Sequence, residues 1–166
     1  MGSIDADDFD EFAVAAWPRL RWAAYLLCHD SHLAEDLAQA TLVRTYASWH
    51  RVRRRDAYAY ARKVLVNLNV DRLRRRRPEV GLPTADPGDH AVTAADRDEV
   101  VRLLRPLTER ERRVVVLRHY FDLSEAETAT ELGIARGTVK STLSRALTKL
   151  RAHHPTTAET TQRGQS

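Results

Sequence analysis

The chain has 166 residues, 43% of them hydrophobic, and a formal net charge of +4. That length holds one medium domain or two small ones with packed cores; the six glycines, six prolines and the abundance of Ala, Leu, Arg and Glu argue against a β-rich or disordered chain and for an all-α fold. A single cysteine, Cys28, excludes an intramolecular disulfide and reads as a small core residue, while no apolar run is long enough to span a membrane and the acidic N-terminus is unlike a signal peptide, so a cytoplasmic protein is expected.

In chain order, residues 7–29 are read as a helix. Phe9, Phe12, Ala13, Trp17, Leu20, Ala23, Ala24 and Leu27 recur at helical spacing, and Pro18 is expected to kink or split it. Asp30 or Ser31 caps a second helix that runs to about Trp49. Its apolar side is Leu33, Leu37, Ala40, Val43 and Ala47; its polar side is Glu35, Asp36, Gln39 and Arg44. A basic connector, His50 to Arg55, leads to a third helix that Asp56 can cap and that runs to about Arg77. Ala57, Ala61, Leu65 and Leu68 face its core, with Val64 and Leu73 at the margins. Tyr58 is assigned to the core. Tyr60, Arg62, Lys63, Asn67, Asp71 and the terminal arginines lie on the surface. Tyrosines between cations suit single-stranded nucleic acid, because bases stack on the rings while cations hold phosphates.

Charge is segregated more sharply than the total suggests. Residues 5–11 hold five acids and no base, residues 44–77 hold twelve Lys or Arg against two acids, and residues 78–99 hold six acids against one arginine. A basic middle of this density implies a polyanionic partner. Residues 78–93, PEVGLPTADPGDHAVT, read as a linker with three prolines and two glycines. Fully extended, about sixteen residues reach roughly 50 Å, enough to place two DNA-contacting modules more than one helical turn apart.

A fourth helix runs from Thr93 or Ala94 to Arg105, with Val100, Val101, Leu103 and Leu104 apolar, and Pro106 stops it. Thr108 starts the next, with Glu111 at capping-box spacing; Val114, Val115, Leu117 and Tyr120 are its packing side. Ser124 and Glu127 repeat the capping-box spacing before a short helix that Gly133 ends. The last helix begins near Arg136 or Gly137. Val139, Leu143, Ala146, Leu147 and Leu150 line its back, while Arg136, Lys140, Ser141, Ser144, Arg145 and Lys149 line its front, which has no acid. An apolar back, a basic and hydroxyl-bearing front, and a short helix held before it make a helix-turn-helix suited to a DNA major groove. Residues 153–166 form a polar tail expected to be disordered, and adjacent His153 and His154 lack metal-ligand spacing.

Two separated stretches resemble one family. LAEDLAQATLVRTYASW followed by AYARKVLVNLNVDRLRRRR resembles region 2 of bacterial sigma-70-type initiation factors, and LTERERRVVVLRHYFDLSEAETATELGIARGTVKSTLSRALTKLR resembles region 4. With only a linker between, the chain resembles the extracytoplasmic-function (ECF) group. The resemblance covers most of residues 8–151, and DLxQ, then NxxxDxxRR, then GTVKS in that order is highly specific. It implies two helical domains, residues 7–77 and 94–152, no cofactor or metal, and no catalysis. It implies core RNA polymerase as partner, through the β′ clamp helices and the β flap, together with promoter DNA and an anti-sigma factor.

Carried onto this chain, the resemblance assigns Glu35, Asp36 and Gln39 to polymerase binding. Arg53, Arg54, Arg55, Tyr60, Arg62, Lys63, Asn67, Arg72, Arg74 and Arg75 are expected at the −10 element and in melting. Arg136, Thr138, Lys140, Ser141, Ser144, Arg145 and Lys149 are expected at the −35 element. Two departures stand out. Ala135 stands where many relatives place a capping serine, and Thr142 where an arginine often follows KS, so a cap and one phosphate contact are expected to be missing. The competing reading is a helix-turn-helix repressor or activator acting without polymerase. A small helical enzyme is disfavoured, since the chain has no HExxH, no phosphate-binding glycine loop and no paired His/Cys ligand spacing.

Overall fold

The computed structural model describes residues 2–76 and 94–153, with side chains from residue 6 and residue 97 onward in the two stretches. All regular structure among them is helical, in two compact units divided at Ala94. The expected linker at 78–93 and the tail beyond His153 lie outside the described residues.

The first unit is a three-helix bundle of α1 (Gly2–Cys28), α2 (Ser31–Ala47) and α3 (Ala57–Arg75), each packed on the other two. Its core is Leu20, Ala23, Ala24 and Leu27 of α1, Ala34, Leu37 and Ala38 of α2, and Ala57, Ala61, Leu65 and Val66 of α3. Ala23, Ala24, Ala38 and Ala61 are fully buried, and such small side chains let helix backbones approach closely. Asp30 caps α2 by accepting a bond from the Leu33 N–H at 2.9 Å. His29, in the left-handed region at φ 57°, turns the chain into that cap.

Three expectations need correction here. Pro18 neither ends nor splits α1, which runs through it. Proline frees the carbonyl four residues back, that of Val14; both residues lie on the exposed side, where water can take the freed acceptor. The buried face of α2 is rotated from the expected one. Val43 is 69% exposed and Ala47 is exposed, while Thr41 and Thr45 are fully buried. Each threonine hydroxyl donates to the carbonyl four residues back, Leu37 at 2.7 Å and Thr41 at 2.8 Å, so burial leaves no hydroxyl unpaired. Third, α3 stops at Arg75, two residues before the expected end.

Between α2 and α3 the connector makes two single-turn 3-10 helices, Trp49–Arg51 and Arg54–Asp56. Trp49 is buried against Phe9 and Phe12 of α1, with ring centroids 5.1 Å from each. Asp56 occupies the N-cap position of α3 but makes no side-chain cap bond.

The second unit contains α4 (Ala94–Leu104), α5 (Glu109–Val115), α6 (Glu125–Leu132) and α7 (Arg136–His153). Val101 and Leu104 of α4 are buried, and Val100 is exposed. Both expected capping boxes are present. Thr108 Oγ1 accepts from the Glu111 N–H at 3.2 Å and Glu111 accepts from the Thr108 N–H at 2.9 Å. Ser124 and Glu127 exchange the same pair of bonds at 3.1 and 2.7 Å. After α5 the chain widens into a π-helical turn, Val116–Tyr120, which the Phe121 N–H closes onto the Val116 carbonyl at 3.1 Å. The Arg118 guanidinium donates to the Leu123 carbonyl just beyond it. Gly133, at φ 63°, ends α6 in the left-handed conformation that a side chain would disfavour. Val114, Ala129 and Val139 then bring α5, α6 and α7 together, with Leu132, Ile134 and Leu143 against them.

Candidate nucleic-acid interface

The front of α7 is built by its back. Val139, Thr142 and Ala146 are buried, and the 3.6-residue repeat turns Arg136, Lys140, Ser141, Ser144 and Arg145 outward, all exposed. No carboxylate occurs in α7, so this face carries positive charge alone. The front is therefore able to donate to phosphates and guanine edges. Thr138 is half-buried, and its carbonyl accepts from Ser141 Oγ at 3.2 Å. Ala135 takes the capping position with its carbonyl only, accepting from Thr138 N at 3.0 Å and Val139 N at 3.1 Å.

Two α7 positions differ from expectation. Lys149 does not share the open front. Its Nζ lies 2.8 Å from Glu111 Oε2, and that carboxylate is 7% exposed. Burial alone would raise the Glu111 carboxyl, but the hydrogen bond from Lys149, the Thr108 backbone N–H and the lysine charge outweigh it and hold the group below its ordinary range. The same carboxylate thus caps α5 and anchors α7. Thr142, read as the place of a missing phosphate contact, is fully buried, and its hydroxyl accepts from Arg145 Nη2 of the front at 3.4 Å. The helix also runs to His153, past its expected end, with His153 Nδ1 2.8 Å from the Lys149 carbonyl.

In the first unit the expected residues differ in exposure and in the contacts they make. On the connector, Arg53, Arg54 and Arg55 are exposed. Arg54 Nη2 sits 3.1 Å from Asp8 Oδ1 and 3.0 Å from Glu11 Oε2, and Arg55 Nε sits 3.6 Å from Asp56 Oδ2. On α3, Lys63, Asn67, Arg74 and Arg75 are exposed and Tyr60 and Arg62 are half-buried. Tyr60 and Asn67, seven residues apart, share one side of α3. Arg72 instead turns toward the bundle and donates from Nη2 to the buried Asn69 Oδ1 at 3.1 Å. Tyr58 is half-buried, with the Arg19 guanidinium 4.2 Å above its ring.

On α2, Asp36 and Gln39 are exposed, but Glu35 pairs with Arg21 of α1 at 2.9 Å and so joins two helices of the bundle. Asp36 borders a groove of about 430 Å³ between α2 and α3, floored by Leu33, Leu37, Ala40 and Leu68 and rimmed by Arg44, Asp71, Arg72, Arg75 and Arg76. Cys28 is half-buried; burial pushes its thiol up to about 11, and Sγ lies 3.2 Å from the Asp30 carbonyl, so it is a packing residue and not a reactive thiolate. Among the described residues no group of three or more His, Cys, Asp or Glu is placed to hold a metal ion, and no helix is long and apolar enough to cross a membrane.

Asp8, Glu11 and Glu111 escaped the sequence reading as partners of the basic side chains. The acidic run at residues 5–11 was visible, but not its target; Glu111 was legible as a cap, but its second bond depends on how α5 and α7 pack.

Comparison with known proteins agrees with this two-part arrangement. The family model for sigma-70 region 2 matches residues 14–79, and that for sigma-70 region 4 matches residues 97–150. The RNA polymerase sigma-E factor of Streptomyces avermitilis is 40% identical over 149 residues, covering 87% of this chain and 83% of that protein. The ECF RNA polymerase sigma factor SigL of Mycobacterium tuberculosis is 33% identical over 153 residues, covering 86% and 84%. Among solved structures, the sigma factor RpoE in complex with the anti-sigma factor NepR from Bartonella quintana superposes with a TM-score of 0.73 at 26% identity, covering 87% of this chain and 95% of that one. The chain belongs to the ECF group of the sigma-70 family of RNA polymerase sigma factors.

Proposed function

We propose that this sigma factor binds core RNA polymerase, directs it to specific promoters and promotes DNA melting, acting by binding and not by catalysis. The observation that carries the proposal is the α7 front: five exposed polar or basic side chains, no acid, on the second helix of a capped helix-turn-helix. Arg136, Lys140, Ser141, Ser144 and Arg145 read the −35 element, with Thr138 near the helix N-terminus available to phosphate. Lys149 leaves that set, because a −35 contact would have to break its bond to Glu111. The connector and the α3 face with Tyr60, Arg62, Lys63 and Asn67 meet the −10 element. Stacking on Tyr60 and a hydrogen bond from Asn67 offset the few kcal/mol that extruding a base costs. Asp36 and Gln39 meet the β′ clamp helices, and the second unit meets the β flap.

Residues 7–77 and 94–152 are the two working domains and 78–93 the tether. An anti-sigma factor restrains the protein; support comes from the structural neighbour, which was solved with one. Association with polymerase places its work in the cytoplasm.

The test is transcription from a promoter by the purified chain mixed with core RNA polymerase, which neither starts alone. Lys140→Ala and Arg145→Ala should each lower promoter use by about ten-fold, the scale of one base or phosphate contact, with polymerase affinity unchanged. Asp36→Ala should do the reverse. Tight binding to a palindromic duplex with no affinity for polymerase would replace this reading with that of a repressor or activator.

A further inference from the structure

The acidic first turns of α1 are the part of the sequence for which the proposed function has no use. Two of their carboxylates, Asp8 and Glu11, one turn apart, converge on the guanidinium of Arg54 at 3.1 and 3.0 Å. On the same turns Phe9 and Phe12 each pack against Trp49. Trp49 opens the connector and Arg54 stands near its close, so four side chains between residues 8 and 12 hold both of its ends.

The connector has little order of its own. Its internal backbone bonds are single 3-10 links, Arg51 N to Ser48 O, Val52 N to Trp49 O and Asp56 N to Arg53 O. Residues 53–56 are exposed, and Asp56 gives α3 no side-chain cap. A segment of this kind takes its conformation from what it leans on.

We propose that Asp8 and Glu11 are positioning residues for the connector, that Arg54 is the anchor they hold, and that Arg53 and Arg55, not Arg54, meet the phosphates at the −10 element. The proposal rests on the reading of the connector as a −10 contact. A guanidinium held by two carboxylates has its charge more than neutralised and must surrender both pairs to take a phosphate. Arg53 makes no ion pair among the described residues, and Arg55 has only the 3.6 Å approach to its own neighbour Asp56. Because the pairs are exposed, they add little to overall stability, so removing them should leave the fold intact.

The two possible roles of Arg54 predict opposite signs. If the acids position the connector, neutralising them impairs opening. If they merely mask a DNA contact, neutralising them frees Arg54 and improves it. The experiment uses the full chain with core RNA polymerase from its source cells and a promoter selected from a randomised library by transcription with the wild-type chain. Failure to select any promoter would sink the underlying functional reading before the proposal is reached. The variants are Asp8→Asn with Glu11→Gln, Arg54→Ala, the triple combination, and the charge-reversed Asp8→Arg, Glu11→Arg, Arg54→Glu.

The readouts are permanganate reactivity of −10 thymines, salt dependence of promoter binding, polymerase affinity and the tryptophan-detected unfolding midpoint. The acid pair and Arg54→Ala should each lower opening by about three- to ten-fold, the size that two exposed ion pairs can carry. The triple should be no worse than either, the reversal should restore opening, and polymerase affinity and midpoint should hold. The slope of log affinity against log salt should be unchanged by Arg54→Ala. Unchanged or improved opening in the acid variant, or a slope reduced by about 0.7–0.9, the mark of one lost phosphate contact, would overturn the proposal.

Discussion

The two units spend their acidic side chains differently. In the first, acids from one helix reach across to basic groups on another element: Asp8 and Glu11 to Arg54, and Glu35 to Arg21. In the second, Glu109, Glu111, Glu125 and Glu127 stand in the first turns of α5 and α6, where the macrodipole and free N–H groups favour negative charge. Glu111 also reaches Lys149 on α7, while α7 itself contains no acid. Basic side chains in the first unit are therefore partly committed to the fold, while those on α7 are available to a polyanion. Lys149 is the exception, and Glu111 is the reason.

The contrast can be broken at its strongest point by removing core volume. Leu65→Ala at a fully buried site of α3 should cost about 2–5 kcal/mol. Trp17, Trp22 and Trp49 all lie in the first unit, so tryptophan fluorescence in a urea titration reports that unit alone. A fluorescence midpoint equal to wild type would show that the bundle does not depend on this layer.

A smaller effect sharpens the exception. Glu111→Gln keeps shape but removes the charge facing Lys149. A fully buried pair loses about 3–5 kcal/mol when one partner goes; the partial exposure of Lys149 screens this one, so about 1–2 kcal/mol is expected. The sign with pH follows from the depressed carboxyl. Its stabilisation is fully present above the unfolded value of about 4.3 and is lost as pH falls through the lower folded value. Acid titration of the second unit, followed by amide resonances, should show a wild-type loss in that range which Glu111→Gln removes. A parallel pH profile in both proteins would contradict the assignment.

Smaller still is a gain. Ala135→Ser adds a side-chain acceptor at the uncapped start of α7 and should stabilise the second unit by about 0.5–1 kcal/mol, seen as slower amide exchange in the first turn. At the bottom of the scale, Glu35→Gln should lower the unfolding free energy read from the fluorescence titration by no more than about 1 kcal/mol, as befits a half-exposed pair. A large loss there would mean that charge pairing carries the first unit as strongly as packing does.

How much of this was legible beforehand depended on the reach of each interaction. The capping boxes at Thr108 and Ser124 involve partners three residues apart, so spacing alone announced them. Gly133 marked a helix end because few other residues adopt its backbone geometry. The α7 front followed from a regular apolar back. The α2 face did not, because Thr41 and Thr45 count as polar in a hydropathy pattern yet are buried with their hydroxyls bonded within the helix. Pro18 misled for a related reason: whether proline breaks a helix depends on whether the carbonyl it frees meets water, and that depends on which side faces out.

The order of residues alone settled the helices, their caps, the all-α class and the two stretches that mark the family, because those features rest on contacts within a turn or two of the chain. Packing decided which charges remain available. Arg54 meets Glu11 across 43 residues and Lys149 meets Glu111 across 38, and such pairs exist only once α1 lies beside the connector and α5 beside α7. A cation's partner in sequence space is undefined until folding brings a carboxylate within about 4 Å, and that distance separates a side chain that serves the fold from one left for DNA.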